Sequence, residues 1–128
     1  MADYWKESPP ILREFLNYHE SILSHSAQTV DEYFLDLRGF FRYLKMTRNP
    51  DLADVPFQEI SILDVDLDFV SKTQLSEIYG FLTFLTGGGA FGKAESTTRA
   101  RKCASIRSFY NYLCVHARVM TADPTQAL

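Results

Sequence analysis

Basic residues are concentrated near the end of this chain, and acidic residues are concentrated in its middle. The segment from Lys93 to Arg118 holds six basic residues against one acidic residue, whereas the segment from Asp51 to Tyr79 holds seven acidic residues against one basic residue. A local basic cluster can bind nucleic-acid phosphates even though the whole chain has a formal net charge of −3. The alternative is a solvated surface whose basic residues pair with the acidic segment. Charge alone leaves both interpretations open.

A glycine-rich stretch, Gly87 to Ala94, comes close to the loop that holds nucleotide phosphates. That loop ends in Ser or Thr because the hydroxyl binds magnesium, and it follows a strand. Here the last residue is Ala94, and the preceding residues Ile78 to Leu85 have helical spacing. The sequence therefore predicts a connection between helices, with no nucleotide bound.

Metal ligands and catalytic groups are not indicated either. The residues Asp64, Asp66 and Asp68 begin like a calcium loop, but Phe69 and Leu75 stand where that loop requires Gly and Glu. The three histidines have no ligand spacing with each other or with the two cysteines, Cys103 and Cys114, which we expect to be reduced and buried. We predict no metal, no cofactor and no catalytic residue in this chain.

The elements that must position the basic residues are helices. The chain has 128 residues, 46% of them hydrophobic, which suits one globular domain, and it lacks a secretory signal or an apolar run of about 20 residues, so we expect a cytoplasmic protein without membrane contact. Apolar residues recur at three- and four-residue steps in four stretches. These predict a first helix from Ser8-Pro9-Pro10 to Ser24, a second from Val30 to Met46, a third from Lys72 to Gly87 and a fourth from Ser96 onward, followed by a short terminal helix at Pro124–Leu128.

The first helix is predicted to bury Ile11, Phe15, Tyr18 and Ile22. The fourth is predicted to bury Cys103, Ile106, Tyr110 and Leu113. Its opposite face then consists of small, polar and basic residues, which would let the helix backbone approach another surface closely. That outer face comprises Arg101, Ala104, Ser105, Ser108 and Asn111, with Arg107 at its margin.

Two stretches of the chain resemble one family. The residues from Ser26 to Leu44 resemble the signature S-x-x-T-x-x-x-Y-x-x-D-L-x-x-F-x-x-Y-L, and those from Arg101 to Leu113 resemble R-K-L-S-A-I-R-S-F-Y-x-Y-L. Both belong to the N-terminal core-binding, SAM-like domain of tyrosine recombinases of the phage integrase and Xer type. The resemblance runs from about Pro10 to Leu128. Two positions depart from it, because Cys103 replaces Leu and Ala104-Ser105 reverses the usual Ser-Ala.

The resemblance implies an all-α fold, a small orthogonal bundle of four main helices plus the short C-terminal helix. It implies an N-terminal extension at residues 1–9, the core-binding domain at 10–122 and the start of a linker at 123–128. In this family the domain lies on one face of duplex DNA, and a separate catalytic domain closes a clamp from the other face. The implied partners are duplex DNA and other recombinase protomers in a synaptic complex, and we expect the fragment alone to be monomeric and not catalytic.

The second and fourth helices of the family approach the DNA, so the resemblance also implies a set of contact residues. Most should contact phosphates and position the protein without reading bases. The set is Thr29, Arg38, Arg42, Lys45, Thr98, Arg99, Arg101, Lys102, Ser105 and Arg107.

An alternative from another class remains, a helical protein-interaction module without DNA contact, which the overall acidity favours slightly. A small helical enzyme is a third possibility, but no group of residues supports it. Salt-sensitive binding to a generic duplex would discriminate the first two.

Overall fold

A computed structural model describes residues 4–87 and 95–128, and all regular structure in these ranges is helical. The predicted all-α class is confirmed. Most of the glycine-rich stretch, from Gly88 to Ala94, lies outside the described residues. No helix in the described ranges is both long and apolar enough to cross a membrane. The chain divides into two compact units, one through Val70 and one from Ser71.

The first unit begins with the short helix α1, Tyr4–Glu7, and with α2, Pro10–Asn17, which continues into a π-helical turn, Tyr18–Ile22. The N-cap of α2 is Pro9 in an extended conformation, so the cap predicted at Ser8 is wrong by one residue. Ser8 is buried, and its carbonyl oxygen accepts a hydrogen bond of 2.9 Å from Arg13 Nε. This bond fixes the entry of the chain into α2.

The buried face of α2 differs from the predicted one. Leu12, Phe15, Leu16 and His19 are buried, whereas Ile22 is 69% exposed. The stripe was placed one residue too early, and the π-helical turn adds a further displacement because its hydrogen bonds span five residues instead of four. A side chain predicted to point inward at Ile22 therefore points outward.

The second predicted helix is α3, Ala27–Arg48. It begins at Ser26, whose Oγ accepts a hydrogen bond of 3.2 Å from the backbone N–H of Thr29, a regular N-cap. Phe34, Leu37 and Phe41 are completely buried on one stripe, as their spacing predicts. The helix ends two residues later than predicted, and Pro50 follows its C-cap, Asn49.

Residues 50–66, here called the tethered loop, connect α3 to the short helix α4, Leu67–Ser71, through two 3₁₀ turns, Pro50–Leu52 and Phe57–Glu59. Basic side chains of α3 hold the loop and α4 by their backbone carbonyl oxygens. Arg42 Nε donates to Ile60 O at 2.9 Å, Lys45 Nζ to Ser61 O at 2.7 Å, and Arg48 Nη1 to Phe69 O at 2.7 Å. The carbonyl of the buried Ile60 in particular needs such a partner, because it lies in a loop where no helix or sheet supplies one.

The second unit contains the third and fourth predicted helices as α5, Leu75–Thr86, and α6, Ser96–Asn111. The helix α5 starts three residues later than predicted, where Glu77 Oε1 accepts from the backbone N–H of Gln74 at 3.0 Å. In α6 the N-cap is Glu95 and not Ser96. The two helices are in contact with each other, and α6 continues into a second π-helical turn, Tyr112–His116.

The two π-helical turns end in the same way. Two residues after each turn stands a non-glycine residue in the left-handed region, Ser24 with φ 56° and Arg118 with φ 55°. The backbone bonds repeat as well, from Leu23 N to Tyr18 O and from Ala117 N to Tyr112 O. Left-handed residues of this kind close helices, but a side chain makes the conformation unfavourable.

The short C-terminal helix predicted at Pro124–Leu128 is wrong. These residues form consecutive hydrogen-bonded turns, with Gln126 N bonded to Asp123 O and Leu128 N to Thr125 O. The predicted cap is present, because Asp123 Oδ1 accepts from both the N–H and the hydroxyl of Thr125. Both bonds join residues three apart, so they close turns and do not form the four-residue ladder of an α-helix.

Candidate nucleic-acid interface

The predicted contact residues lie on two helices, four of them on α3 and six on α6. Each helix belongs to a different compact unit. The two groups therefore have to be described separately, and their chemistry differs.

The three predicted contact cations of α3 are engaged within the first unit. Arg38 Nη1 lies 3.0 and 3.1 Å from the two carboxylate oxygens of Glu7, and Arg42 Nη2 lies 3.7 Å from Glu7 Oε1. Lys45 Nζ donates to Asp64 Oδ1 as well as to the carbonyl of Ser61. Asp64 belongs to the acidic segment, but Lys45 lies outside the basic segment from Lys93 to Arg118 to which the pairing alternative applied.

Arg42 is the most enclosed of these cations. Its side chain is 8% exposed and its Nε is bonded to Ile60 O. Burial lowers the pKa of Arg42, the neighbouring cation Arg38 lowers it further, and the Glu7 carboxylate raises it. The Arg38 guanidinium also lies over the ring of Phe34, 5.1 Å from its centroid. Both arginines are held in place by these contacts.

Thr29 was predicted to present its hydroxyl and backbone N–H to phosphate. Both groups interact with Ser26 in the N-cap of α3, the N–H at 3.2 Å and the hydroxyl oxygen as acceptor at 3.0 Å. Its place at a helix N-terminus is confirmed by the bounds of α3. The cap satisfies the donor that a phosphate would otherwise use.

The cations of α6 are more accessible. Arg101 and Arg107 are exposed, and Arg99 and Lys102 are half-buried, as is Thr98 in the first turn. Arg107 Nη2 donates to the backbone oxygen of Leu128 at 2.8 Å. The accessible positive charge of the predicted set therefore lies on α6.

The outer face of α6 is partly as predicted. Ala104 and Asn111 are exposed and Ser108 is half-buried, but Ser105 is 4% exposed and so does not lie on the outer face. Ser105 lies one turn before the buried Phe109 and next to the buried Ile106. The buried face of α6 is therefore wider than the helical spacing of its apolar residues predicts. Cys103, predicted to be buried, is half-buried, and so is Cys114.

A shallow groove of about 490 Å³ runs beside this face within the second unit. One wall is formed by α6 and the other by the C-terminal turns. The lining residues are Ala104, Arg107, Ser108, Asn111, Asp123, Thr125, Gln126 and Leu128. Small side chains on one wall and an arginine at the edge leave the α6 backbone open to close approach by a partner.

Helical spacing does not reveal the contact of Glu7 with Arg38, because the two residues are 31 positions apart in the chain. It also missed Arg48, whose guanidinium lies 4.5 Å from the centroid of Phe69 while donating to the Phe69 carbonyl. Helical spacing reveals neighbours three or four residues apart, and these contacts span 21 and 31 residues.

Comparison with known proteins gives a consistent result. The chain is 45% identical over 120 residues to Tyrosine recombinase XerC of Caldanaerobacter subterraneus, covering 94% of this chain and 33% of that protein. It is 30% identical over 112 residues to Tyrosine recombinase XerC of Listeria innocua, covering 88% and 30%, and 31% identical over 117 residues to that of Myxococcus xanthus, covering 91% and 31%. The chain thus spans about a third of the length of these relatives. No family profile matches it, and no solved structure does.

Proposed function

This chain is a relative of the Xer-like tyrosine recombinases, matching about a third of their length, and we propose that it binds duplex DNA as the core-binding part of such a recombinase. It would hold one face of the duplex during strand exchange. The observation that supports this role most strongly is the exposed positive charge of α6, carried by Arg101 and Arg107 beside the exposed Ala104.

The chemistry of α6 suits phosphate contacts better than base recognition. Arginine presents a planar set of donors that matches two phosphate oxygens, and small neighbours let the helix approach the DNA backbone. Contacts of this kind position a protein on DNA without reading sequence. Of the ten predicted contact residues, Arg99, Arg101, Lys102 and Arg107 therefore carry the proposal, with Thr98 at the helix start.

The experiment is a fluorescence anisotropy titration of a labelled generic duplex at several salt concentrations. We expect weak binding, with a Kd of about 10⁻⁴–10⁻⁶ M, because this chain supplies only part of a clamp. The double variant Arg101→Ala/Arg107→Ala should bind more weakly and lower the salt slope by about 0.9 for each lost phosphate contact.

The matched control is Lys72→Ala, which removes one exposed positive charge from the acidic segment. It should change binding less than Arg101→Ala alone. No binding at low salt, or an unchanged slope in the double variant, would favour the protein-interaction module instead.

We further propose that strand cleavage requires a separate catalytic domain and that other recombinase protomers are partners only in the assembled complex. Incubating the chain with a nicked suicide duplex should then give no covalent adduct on a denaturing gel. An adduct that disappears when one tyrosine of this chain is replaced by Phe would refute this division of labour.

A further inference from the structure

The carboxylate of Glu7 lies between two arginines that the sequence analysis assigned to DNA phosphates. Arg38 contacts both of its oxygens and Arg42 approaches one of them, at the distances given above. A carboxylate and a phosphate present similar pairs of oxygens to a guanidinium, and here Arg38 Nη1 donates to both oxygens of Glu7. Glu7 therefore occupies the position that a phosphate would take.

We propose that Arg38 and Arg42 form a phosphate-binding site that Glu7 blocks, and that duplex DNA binds there by displacing Glu7. This inference depends on the proposed DNA-binding function and adds a second contact region to it. The chain would then carry its own competitor for DNA, and the α3 cations would contribute only after Glu7 has left.

The two arginines require an anion between them. They lie four residues apart on α3, where side chains of like charge repel each other. Arg42 cannot turn away, because Ile60 O holds its Nε and burial encloses the side chain. Once Glu7 leaves, this fixed pair of cations is a preformed site for another anion.

Glu7 is held only weakly. Its side chain is 42% exposed, and ion pairs with this much solvent contribute little. It belongs to α1, which has four residues, too few for a helix that is stable by itself.

Space for an incoming anion lies next to Arg42 and Glu7. A cavity of about 250 Å³ is lined by Lys6, Glu7, Arg42 and the loop residues Gln58 to Leu63. The lining contains two cations, Lys6 and Arg42, and Glu59 is its acidic residue besides Glu7.

The test compares Glu7→Gln with Glu14→Gln in the full chain, using the anisotropy titration described above. Both substitutions remove one negative charge from the first unit, but Glu14 is an exposed residue of α2 and not of α1. We expect Glu7→Gln to tighten binding roughly two- to fivefold and to steepen the salt slope by about 0.9 for one new phosphate contact. Glu14→Gln should change neither the affinity nor the slope by as much.

A second arm tests the site itself with inorganic phosphate. Phosphate should raise the melting temperature of Glu7→Gln more than that of Glu14→Gln, and Arg38→Gln in the Glu7→Gln background should abolish both this gain and the tighter DNA binding. Circular dichroism confirms that each variant is folded, and Glu7→Ala serves as a second variant if the glutamine retains the contact.

If Glu14→Gln tightens DNA binding as much as Glu7→Gln does, only net charge matters, and the proposed phosphate-binding site is refuted. If the wild type binds DNA and Arg101→Ala/Arg107→Ala weakens it while Glu7→Gln changes nothing, the blocked site is refuted and the proposed function stands. If no variant binds DNA at low salt, the proposed function fails first and displacement by DNA fails with it.

Discussion

Arg42 Nε donates a hydrogen bond of 2.9 Å to the carbonyl oxygen of Ile60, joining the middle of α3 to the tethered loop. The donor is a charged group with its side chain 8% exposed, and the acceptor belongs to a residue that is itself buried. Removing the guanidinium would leave a buried carbonyl without this partner. The bond thus makes Arg42 part of the packing of the first unit, whatever else its charge does.

We therefore predict that Arg42→Ala lowers the free energy of unfolding by about 1.5–3 kcal/mol, the range for hydrogen bonds to charged groups. Urea denaturation followed by circular dichroism measures it. Arg101→Ala is the control on an exposed arginine and should stay within about 0.5 kcal/mol. Equal effects of the two substitutions would contradict a packing role for Arg42.

The helix α3 provides a matched pair of leucines two residues apart, one on its buried face and one on its exposed face. Leu37 is completely buried and Leu35 is 41% exposed. Leu37→Ala should cost about 2–5 kcal/mol because it leaves a cavity, whereas Leu35→Ala should cost much less. Both values come from the same denaturation experiment, and a Leu37→Ala midpoint no lower than that of Leu35→Ala would refute the assigned face.

The N-cap of α3 gives a smaller prediction. Ser26→Ala removes the acceptor for the backbone N–H of Thr29 and should cost about 0.5–2 kcal/mol. Ser26→Asp restores an acceptor, so it should recover most of the loss. Thermal unfolding of the three proteins decides the matter, and an aspartate variant no more stable than the alanine variant would argue against capping.

The left-handed residue after the first π-helical turn predicts a substitution that stabilises. Ser24→Gly relieves a conformation that costs a side chain about 1–2 kcal/mol, partly offset by the added freedom of glycine in the unfolded chain, about 0.4–1 kcal/mol. We expect a small rise in melting temperature. The same change at Ser21, inside the turn, should lower it.

The thiol of Cys114 should be slow to react near neutral pH. Partial burial raises its pKa, and the charge of Asp123 raises it further. Because the thiolate is the reactive form, alkylation by iodoacetamide in a Cys103→Ser background should reach half of its maximal rate at a higher pH than alkylation of a free cysteine does. Asp123→Asn should shift this rate profile to lower pH, and a profile like that of a free cysteine would contradict the prediction.

Helical spacing was sufficient to predict α3, because its apolar stripe is long and its period is regular. It placed the face of α2 one residue too early, and the π-helical turn at Tyr18–Ile22 displaced the face further because it changes the angle between successive side chains. It also placed Ser105 on the exposed face of α6, although the buried face of this helix is broad enough to include it. Local period describes regular helices well and their irregular ends poorly.

The candidate site was less predictable than the fold, for a different reason. The types of Arg38, Arg42 and Lys45 were recognised as phosphate-binding, but their contacts to Glu7, Ile60 and Asp64 span 18 to 31 residues. Whether a surface cation is accessible depends on such distant partners, and the spacing of one helix contains no information about them. For α6 the accessible arginines Arg101 and Arg107 were predicted, because their exposure follows from the helix itself.

The tether between α3 and the loop has a consequence for how this sequence can diverge. Arg42, Lys45 and Arg48 bind the carbonyl oxygens of Ile60, Ser61 and Phe69, and every amino acid supplies a carbonyl oxygen. A mutation at one of these three acceptor positions therefore keeps the carbonyl oxygen. A mutation of one of the three basic residues removes the donor, and the hydrogen bond is lost. Among relatives we expect the spacing of basic residues on this helix to persist while the loop opposite changes its side chains.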